Sequence, residues 1–336
     1  MMRASEMETC MTTPLFTLAD LEDAARTVHA VLPPTPQYAW PLLGERAGCE
    51  VWLKHENHTP AGAFKIRGGI VYMDRLVRER PDIEGVIAAT RGNHGQSVAF
   101  AATRMGRTAV VVVPEGNSAE KNASMRGFGA ELIVAGRDFD ESRQHAARIA
   151  AERGLHMLRS FHPELVKGVA TYALELFRAV ADFDAVYVPI GMGSGICGLI
   201  AARDLLGLST EIIGVVAEAA PATALSFAAG HVVQGNSAAT FADGMACRDP
   251  DLHAFGIIRE GASRIVTVSE DEIAAAIRAL YADTHNVAEG AGAAPLAALL
   301  KDGVKMRGKR VGLILSGGNI DTGRFAMVLG GGTPQP

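Results

Sequence analysis

The chain alternates short apolar runs with longer amphipathic stretches, and this alternation constrains its fold more than any other feature. Short apolar runs bounded by turn residues are typical of buried strands, and apolar residues at helical spacing are typical of helices. The predicted strands are 85–89, 108–114, 131–135, 185–190, 211–217 and 310–315. The predicted helices are 96–105, 119–128, 139–153, 167–180 and 271–284. This order predicts an α/β protein with mainly parallel sheets.

The composition limits the partners that such a chain can have. With 336 residues, 48% of them hydrophobic, it can bury a large core, and its length suggests about two domains. A formal net charge of -5, with scattered Lys and Arg residues, leaves no basic face for a nucleic acid. The sequence has no uninterrupted run of about 18 apolar residues, the length that a membrane span requires. We therefore expect neither a nucleic-acid partner nor a membrane partner.

The cysteines and the N-terminus favour a cytoplasmic location. The cysteines form no CxxC pair and no zinc-type spacing with histidine, which fits a reducing compartment; they are Cys10, Cys49, Cys197 and Cys247. Residues 1–13 contain acidic side chains and lack the apolar segment of a signal peptide.

Two glycine-rich loops in the first third of the chain each connect a predicted strand to a helix, where ligands of open α/β sheets bind. Segment 54–69 places Lys65 in the first turn of a helix. The helix N-terminus and Arg67 predict a lowered pKa for Lys65, toward the neutral amine that Schiff-base chemistry needs. In segment 88–97, backbone N–H groups could hold a carboxylate, and the Asn93 amide could bond a phenolic oxygen. The alternatives are that Lys65 is an ordinary surface lysine and that segment 88–97 forms a plain turn.

Two further loops follow later strands. Segment 188–198 offers unhindered glycine N–H groups and a helix N-terminus, which together can cradle a phosphate. Segment 315–321 begins with Ser316, whose hydroxyl can bond a ring nitrogen. The alternative for Ser316 is a tight turn with a capping serine.

The third loop also matches the fingerprint of a nicotinamide-binding protein. Gly193, Gly195 and Gly198 follow a predicted strand, and Glu218 stands 20 residues after the last of them. This fingerprint usually opens a domain, whereas here it lies past the middle of the chain. It also leaves the other three loops without a role.

Taken together and in this order, the four loops resemble the fold type II pyridoxal-phosphate enzymes, in particular the serine/threonine dehydratase and serine racemase family. The motifs are Gly-x-Phe-Lys-x-Arg-Gly at 62–68, Gly-Asn-His-Gly-Gln at 92–96, the glycine loop at 191–195 and Ser-Gly-Gly-Asn at 316–319. The resemblance covers residues 35–321. It implies a tryptophan synthase β-like α/β fold of two open twisted domains with the cofactor between them. The large cofactor-binding domain would comprise residues 1–75 plus 160–336, and the small, mobile substrate-binding domain residues 76–159.

The resemblance implies pyridoxal 5'-phosphate as cofactor and a set of residues that hold it. Lys65 would form the Schiff base and be the catalytic residue, Asn93 would bond the 3'-oxygen, and Ser316 would meet the pyridine nitrogen. A serine leaves that nitrogen largely unprotonated, which favours elimination. Glu289 would lie near the pyridine edge, or would only be a charge at a helix N-terminus. The whole set is Phe64, Lys65, Asn93, Gly191, Met192, Gly193, Ser194, Gly195, Glu289 and Ser316.

The implied activity is that of a pyridoxal-phosphate dependent dehydratase, an ammonia-lyase that converts a β-hydroxy amino acid of the threonine or serine type to a 2-keto acid and ammonia. The alternatives are a specialised substrate such as 3-hydroxyaspartate or phenylserine, then β-replacement, a nicotinamide-dependent oxidoreductase and a non-enzymatic cofactor-binding regulator. Relatives are commonly dimers, so a homodimer is expected. The substrate carboxylate would lie on Thr90, Arg91, Gly92, Asn93 and His94.

The chain departs from the family pattern at several positions. Racemase members have a serine two residues before the asparagine, where this chain has Arg91. A guanidinium stays protonated and cannot replace that base, so we expect little or no racemisation. Arg91 would instead pair with a second anionic group of a polar substrate, or turn outward and brace its loop.

Other departures concern the cation site and the phosphate loop. The family's divalent cation site maps to Glu218, Ala222 and Ala224, so its last carboxylate is missing and at most a weak site at Glu218 and Ala222 is expected. Met192 and Ser194 stand where many relatives have glycine. Ser194 can add a hydrogen bond to phosphate, while Met192 adds bulk.

Overall fold

The computed structural model describes residues 15–336, which form two separate, mainly parallel sheets covered by helices. Cys10 and the predicted N-terminal features of residues 1–13 lie outside these residues. The strands are β1 (Gln37–Ala39), β2 (Glu50–His55), β3 (Gly85–Ala89), β4 (Thr108–Val113), β5 (Glu131–Val134), β6 (His156–Met157), β7 (Ala185–Pro189), β8 (Glu211–Ala217), β9 (Arg264–Val268) and β10 (Arg310–Leu315).

The helices connect these strands and cover the faces of both sheets. They are α1 (Leu18–His29), α2 (Pro41–Ala47), α3 (Lys65–Glu79), α4 (Asn93–Arg104), α5 (Ala119–Gly127), α6 (Phe139–Arg153), α7 (Pro163–Ala179), α8 (Ser194–Leu205), α9 (Ala222–Ala229), α10 (Leu252–Gly261), α11 (Glu270–Thr284), α12 (Gly290–Asp302) and α13 (Thr322–Leu329). Within residues 15–336, none of them is long and apolar enough to cross a membrane.

The larger sheet has six strands in the order β1-β2-β10-β7-β8-β9. Only β1 pairs antiparallel, and the other strands are parallel, with Leu313 opposite both Leu53 and Tyr187. Buried side chains fill both of its faces, which is why its central strands have continuous apolar sequences. The carboxyl ends of neighbouring β7 and β10 therefore bring the third and fourth glycine-rich loops side by side.

The smaller sheet has four parallel strands in the order β5-β4-β3-β6. Every residue of β3 is buried, and the second loop begins directly after this strand. The predicted division into residues 1–75 plus 160–336 and residues 76–159 stays a prediction. Helix α3 runs across residue 75 without interruption.

The predicted strands agree with the structure to within one residue at each end, while two predicted helices begin too late. Helix α4 begins at Asn93 rather than at residue 96. Helix α7 begins at Pro163 rather than at residue 167, because His162 caps it by accepting a hydrogen bond from the Glu164 N–H and proline suits the first helical turn. The apolar pattern does not predict α12, which is buried almost all round and so has no polar face.

Candidate active site

A cleft of about 940 Å³ lies at the carboxyl ends of β3, β7 and β10, and the four glycine-rich loops meet in it. The structure thus brings together segments that are far apart in the sequence. The predicted cofactor and substrate residues all line this cleft: Phe64, Lys65, Thr90, Arg91, Gly92, Asn93, His94, Gly191, Met192, Gly193, Ser194, Gly195, Glu289 and Ser316. The role of each residue remains a prediction.

Lys65 is the first residue of α3, and its Nζ lies 4.3 Å from the centroid of the Phe64 ring. Within the described residues, this amine makes no hydrogen bond or ion pair. Burial lowers the pKa of Lys65, and the carboxylate of Glu289 opposes that shift. The predicted direction is therefore confirmed, but the predicted contribution of Arg67 is wrong, because two carboxylates neutralise the Arg67 charge.

Arg67 is fully buried and fixes the start of α3. Its Nε donates to Glu56 Oε2 at 2.7 Å and its Nη1 to Glu175 Oε1 at 2.6 Å. Lys54 Nζ completes the network by donating to Glu175 Oε2 at 2.6 Å. Glu56 directly follows β2 and Glu175 lies on α7, so the network joins three elements behind the lysine. Arg67 thus positions the helical turn that carries Lys65.

The side-chain amide of Asn93 is held at both of its ends. Its Nδ2 donates to Glu289 Oε1 at 2.7 Å, and its Oδ1 accepts from Asn319 Nδ2 at 2.8 Å. Asn319 Nδ2 also donates to the carbonyl oxygen of Ala61 at 2.8 Å. Burial raises the pKa of Glu289, while the nearby Lys121 and Lys65 lower it. The amide therefore faces the cleft in one orientation, with its second N–H free for a ligand oxygen.

His94 contributes a neutral ring to the same loop. Burial, assisted by the charge of Lys65, lowers the pKa of His94 to about 4. Its Nε2 is buried and has no partner within the described residues. Buried polar atoms in native proteins are nearly always hydrogen-bonded, so this nitrogen fits a site that a ligand completes.

The glycine loop has the geometry of an anion cradle. It runs from the end of β7 to Ser194, the first residue of α8, whose leading N–H groups have no partner within the helix. A Cβ at Gly191 would lie 2.1 Å from the carbonyl oxygen of Gly244, and Gly193 has a φ of 96°. Side chains at these two positions would close or strain the loop. The cradle fits a phosphate group.

The match to the nicotinamide fingerprint has a packing explanation at its third glycine. A Cβ at Gly198 would lie 3.0 Å from the backbone nitrogen of Ala170, because α8 packs closely on α7 at this point. Tyr172, also on α7, donates from its hydroxyl to the carbonyl oxygen of Gly195 at 2.9 Å. This glycine spacing therefore serves helix packing.

Ser316 and Phe64 are connected through the backbone. The Phe64 N–H donates to the Ser316 carbonyl oxygen at 3.0 Å, and Ser316 is 3% exposed. The Ser316 hydroxyl makes no hydrogen bond within the described part of the chain, so it does not cap a turn there. It is available to a ring nitrogen in the cleft.

In the loop from Thr90 to His94, one predicted anion donor is already in use. The N–H of Gly92 donates to Thr90 Oγ1 at 3.0 Å, so the free donors lie at Asn93 and His94, in the first turn of α4. Arg91 is exposed and lines the cleft. It makes no hydrogen bond within residues 15–336, so it does not brace its loop.

The weak cation site stays an untested prediction. Glu218 is exposed at the end of β8, Ala222 begins α9, and neither lines the cleft. Among the described residues, no group of three or more His, Cys, Asp or Glu side chains is arranged to hold a metal ion.

Sequence reasoning missed several polar residues of the cleft. Lys121 is buried and forms an ion pair with Asp243, and Arg159 lines the cleft beside the second loop. Asp243 lies in the segment Thr-Phe-Ala-Asp-Gly, so motif matching could have found it. Asn319 stands in the motif at 316–319, but that motif does not predict its hydrogen bond to Asn93. Lys121 and Arg159 carry no local signal, because only the packing of the smaller sheet brings them to the cleft.

The donor set fits pyridoxal 5'-phosphate. A buried amine with a lowered pKa suits its carbonyl carbon, a glycine cradle suits its phosphate, and a free hydroxyl suits its ring nitrogen.

Comparisons with known proteins agree with this fit. A family model described as pyridoxal-phosphate dependent enzyme matches residues 29–317. The chain is 40% identical over 289 residues to an L-threonine ammonia-lyase of Geobacter sulfurreducens, covering 85% of this chain and 71% of the relative. It is 34% identical over 321 residues to an L-threo-3-hydroxyaspartate ammonia-lyase of Saccharomyces cerevisiae, covering 95% and 98%. The structure of the processed form of threonine deaminase isoform 2 from Solanum lycopersicum matches with a TM-score of 0.85 and 30% identity, covering 94% of each chain.

Proposed function

The chain belongs to the family of pyridoxal-phosphate dependent enzymes, and we propose that it holds this cofactor on Lys65 and eliminates water from a small β-hydroxy amino acid. The expected α/β fold of the type II enzymes is confirmed. Relatives named L-threonine ammonia-lyase and L-threo-3-hydroxyaspartate ammonia-lyase support a dehydratase that releases a 2-keto acid and ammonia. The resemblance favours a substrate of the threonine or serine type. No observation favours β-replacement, nicotinamide chemistry or a non-enzymatic role.

The observation that carries the proposal is the meeting of all four loops on one cleft. Lys65 would take the carbonyl carbon of the cofactor, the loop from Gly191 to Gly195 its phosphate, and Ser316 its ring nitrogen. Phe64 would lie against the ring and Asn93 would bond the 3'-oxygen. When bound, the cofactor supplies an electrophilic carbon for the substrate amine and a conjugated ring that withdraws electrons from Cα.

The side chains of the cleft would then divide the remaining work. Because burial lowers the pKa of Lys65, its amine, once released, can accept the Cα proton of the substrate. The free N–H groups of Asn93 and His94 would hold the substrate carboxylate at the start of α4. Glu289 keeps the Asn93 amide oriented through the hydrogen bond at 2.7 Å. Ser316, as a neutral hydroxyl, would leave the ring nitrogen largely unprotonated, which favours elimination over long-lived carbanion chemistry.

Three further proposals concern organisation. Residues 76–159 would move as a small substrate-binding domain against residues 1–75 plus 160–336, closing the cleft on the substrate. The enzyme would act as a homodimer, as its relatives commonly do. It would work in the cytoplasm, where its free cysteines stay reduced; Cys49, Cys197 and Cys247 are buried and unpaired.

The test is an absorbance spectrum of the purified protein, before and after borohydride, followed by assays for 2-keto acid. We expect a band in the region of about 410 nm that borohydride removes while labelling Lys65, and keto acid from at least one β-hydroxy amino acid. Lys65→Ala should lose the reducible band and all turnover. A band that persists unchanged in Lys65→Ala would show that the cofactor is held elsewhere.

A further inference from the structure

We propose that Arg91 and Arg159 form a subsite for a second acidic group, so that the preferred β-hydroxy amino acid has an acidic side chain. This inference rests on the proposed function, because it takes the cleft to be the substrate site. It names the class of substrate that the cleft selects.

The smaller sheet brings the two arginines to the same edge. Strands β3 and β6 are parallel neighbours, with Ile87 opposite Met157. The pairing continues one residue further, because the Leu158 N–H donates to the Ile87 carbonyl oxygen at 2.8 Å. Arg159 thus follows β6 as Arg91 follows β3, at the same edge of the sheet. Both side chains line the cleft.

The two arginines are also the ones left without protein partners. Both are exposed, and within residues 15–336 neither makes a hydrogen bond or an ion pair. The other arginines of the cleft are compensated: Arg143 and Arg248 lie 3.6 Å and 3.1 Å from Asp140. The guanidinium groups of Arg91 and Arg159 are therefore free to bind an anion.

Their position suits the far end of a substrate whose own carboxylate lies at the start of α4. The free N–H groups of Asn93 and His94 would hold that carboxylate, and Arg91 lies two residues before Asn93 in the same loop. A guanidinium binds a carboxylate in a bidentate, charge-assisted manner. A methyl group, as in threonine, gains nothing from two cations. The arrangement therefore favours a β-hydroxy amino acid with two carboxylates.

Apolar side chains also line the cleft and suggest a competing substrate. Phe139, Met157 and Phe161 could contact an aromatic side chain, such as that of phenylserine. Turnover of an acidic substrate should fall when the arginines are removed, whereas turnover of an aromatic substrate should not, because only the acidic substrate depends on them. This difference makes the proposal testable.

The first experiment measures kcat/KM of the holoenzyme for L-threo-3-hydroxyaspartate, L-threonine and phenylserine. We expect the wild type to prefer hydroxyaspartate. In Arg91→Gln and in Arg159→Gln, the ratio of kcat/KM for hydroxyaspartate to that for threonine should fall on the order of 10- to 100-fold, mainly through KM. Arg104→Gln is the matched control, because it removes the same charge about 16 Å away, at the other end of α4. It should leave the ratio unchanged.

A second readout does not depend on turnover. Succinate should raise the melting temperature of the wild-type holoenzyme more than butyrate does, and this difference should disappear in Arg91→Gln and Arg159→Gln. A preference for threonine or phenylserine with ratios unaffected by either substitution would overturn the proposal. So would an Arg159→Gln variant that only binds pyridoxal phosphate less tightly. Absence of keto acid from all three substrates and from L-serine would instead contradict the proposed function. The succinate comparison would still show whether the two arginines bind a second carboxylate.

Discussion

At the scale of single residues, burial controls the charge of the ionisable side chains of this protein. Lys65 and His94 both have a lowered pKa because burial disfavours their charged forms. His55, outside the cleft, has the same property. It is fully buried, and its pKa is lowered to about 4, chiefly by burial. Its Nε2 accepts a hydrogen bond from Trp40 Nε1 at 3.0 Å, which requires that nitrogen to be unprotonated.

This neutral His55 predicts a loss of stability in mild acid. The unfolded chain binds a proton near pH 6.5 and the folded chain only near pH 4, so the free energy of unfolding falls as the pH drops through this window. Between pH 7 and pH 5, His55 alone should cost about 2 kcal/mol. Urea unfolding at both pH values measures this loss. In His55→Gln, the loss of unfolding free energy between pH 7 and pH 5 should be smaller by about 2 kcal/mol. The control His231→Gln, at an exposed histidine, should lose as much as the wild type. Equal losses in the wild type and in His55→Gln would contradict the explanation.

At the scale of elements, the loop between β7 and α8 depends on close backbone contact. A Cβ at Gly191 would lie 2.1 Å from the carbonyl oxygen of Gly244, and neither backbone can move easily. Gly244 belongs to the short helical turn Asp243–Met245, whose first residue pairs with Lys121. The cradle is thus held by a neighbouring turn, and its shape follows from packing as well as from its own sequence.

We therefore expect Gly191→Ala to bind pyridoxal phosphate roughly 5- to 150-fold less tightly, which corresponds to about 1–3 kcal/mol of overpacking. Gly256→Ala is the matched control, because a Cβ at that position of α10 meets nothing within 4 Å. It should leave the affinity unchanged. Titration of the apoprotein with the cofactor, followed by absorbance, measures both variants. Normal affinity in Gly191→Ala would mean that the loop relaxes around the new side chain.

At the scale of the whole molecule, the two sheets are joined by polar contacts around the cleft. Ser118 Oγ donates to Asp321 Oδ1 at 2.5 Å, and Arg248 Nη2 donates to Asp140 Oδ2 at 3.1 Å. The Asn93 amide crosses the cleft to Glu289. A ligand that touches loops from both sheets adds further contacts between them, so it should add to the stability of the fold.

Bound cofactor should therefore protect the protein against thermal unfolding. At a free cofactor concentration of 100 times Kd, mass action adds about 2.7 kcal/mol to the free energy of unfolding. Melting curves with and without excess pyridoxal phosphate should show a clear rise in Tm for the wild type. Lys65→Ala should show a smaller rise at the same concentration, because it lacks the covalent attachment. An equal rise in both proteins would argue that Lys65 contributes nothing to binding.

The sequence by itself determined the fold class, six of the ten strands in the described residues and the loops that carry the chemistry. Apolar runs such as that of β3 reflect local burial, and motifs such as Gly-Ala-Phe-Lys-Ile-Arg-Gly are contiguous in the chain, so both can be read without a structure. The start of α7 was harder to predict, because its cap is a histidine, a less common capping residue than serine or aspartate.

Only the tertiary structure decided which side chains face one another across the cleft. The cause of the Lys65 pKa shift, the support of Asn93 by Glu289 and Asn319, and the position of Arg159 at the same sheet edge as Arg91 all depend on packing between distant segments. Burial and cross-sheet contacts depend on how the two sheets meet, and a single sequence contains no local signal for that arrangement.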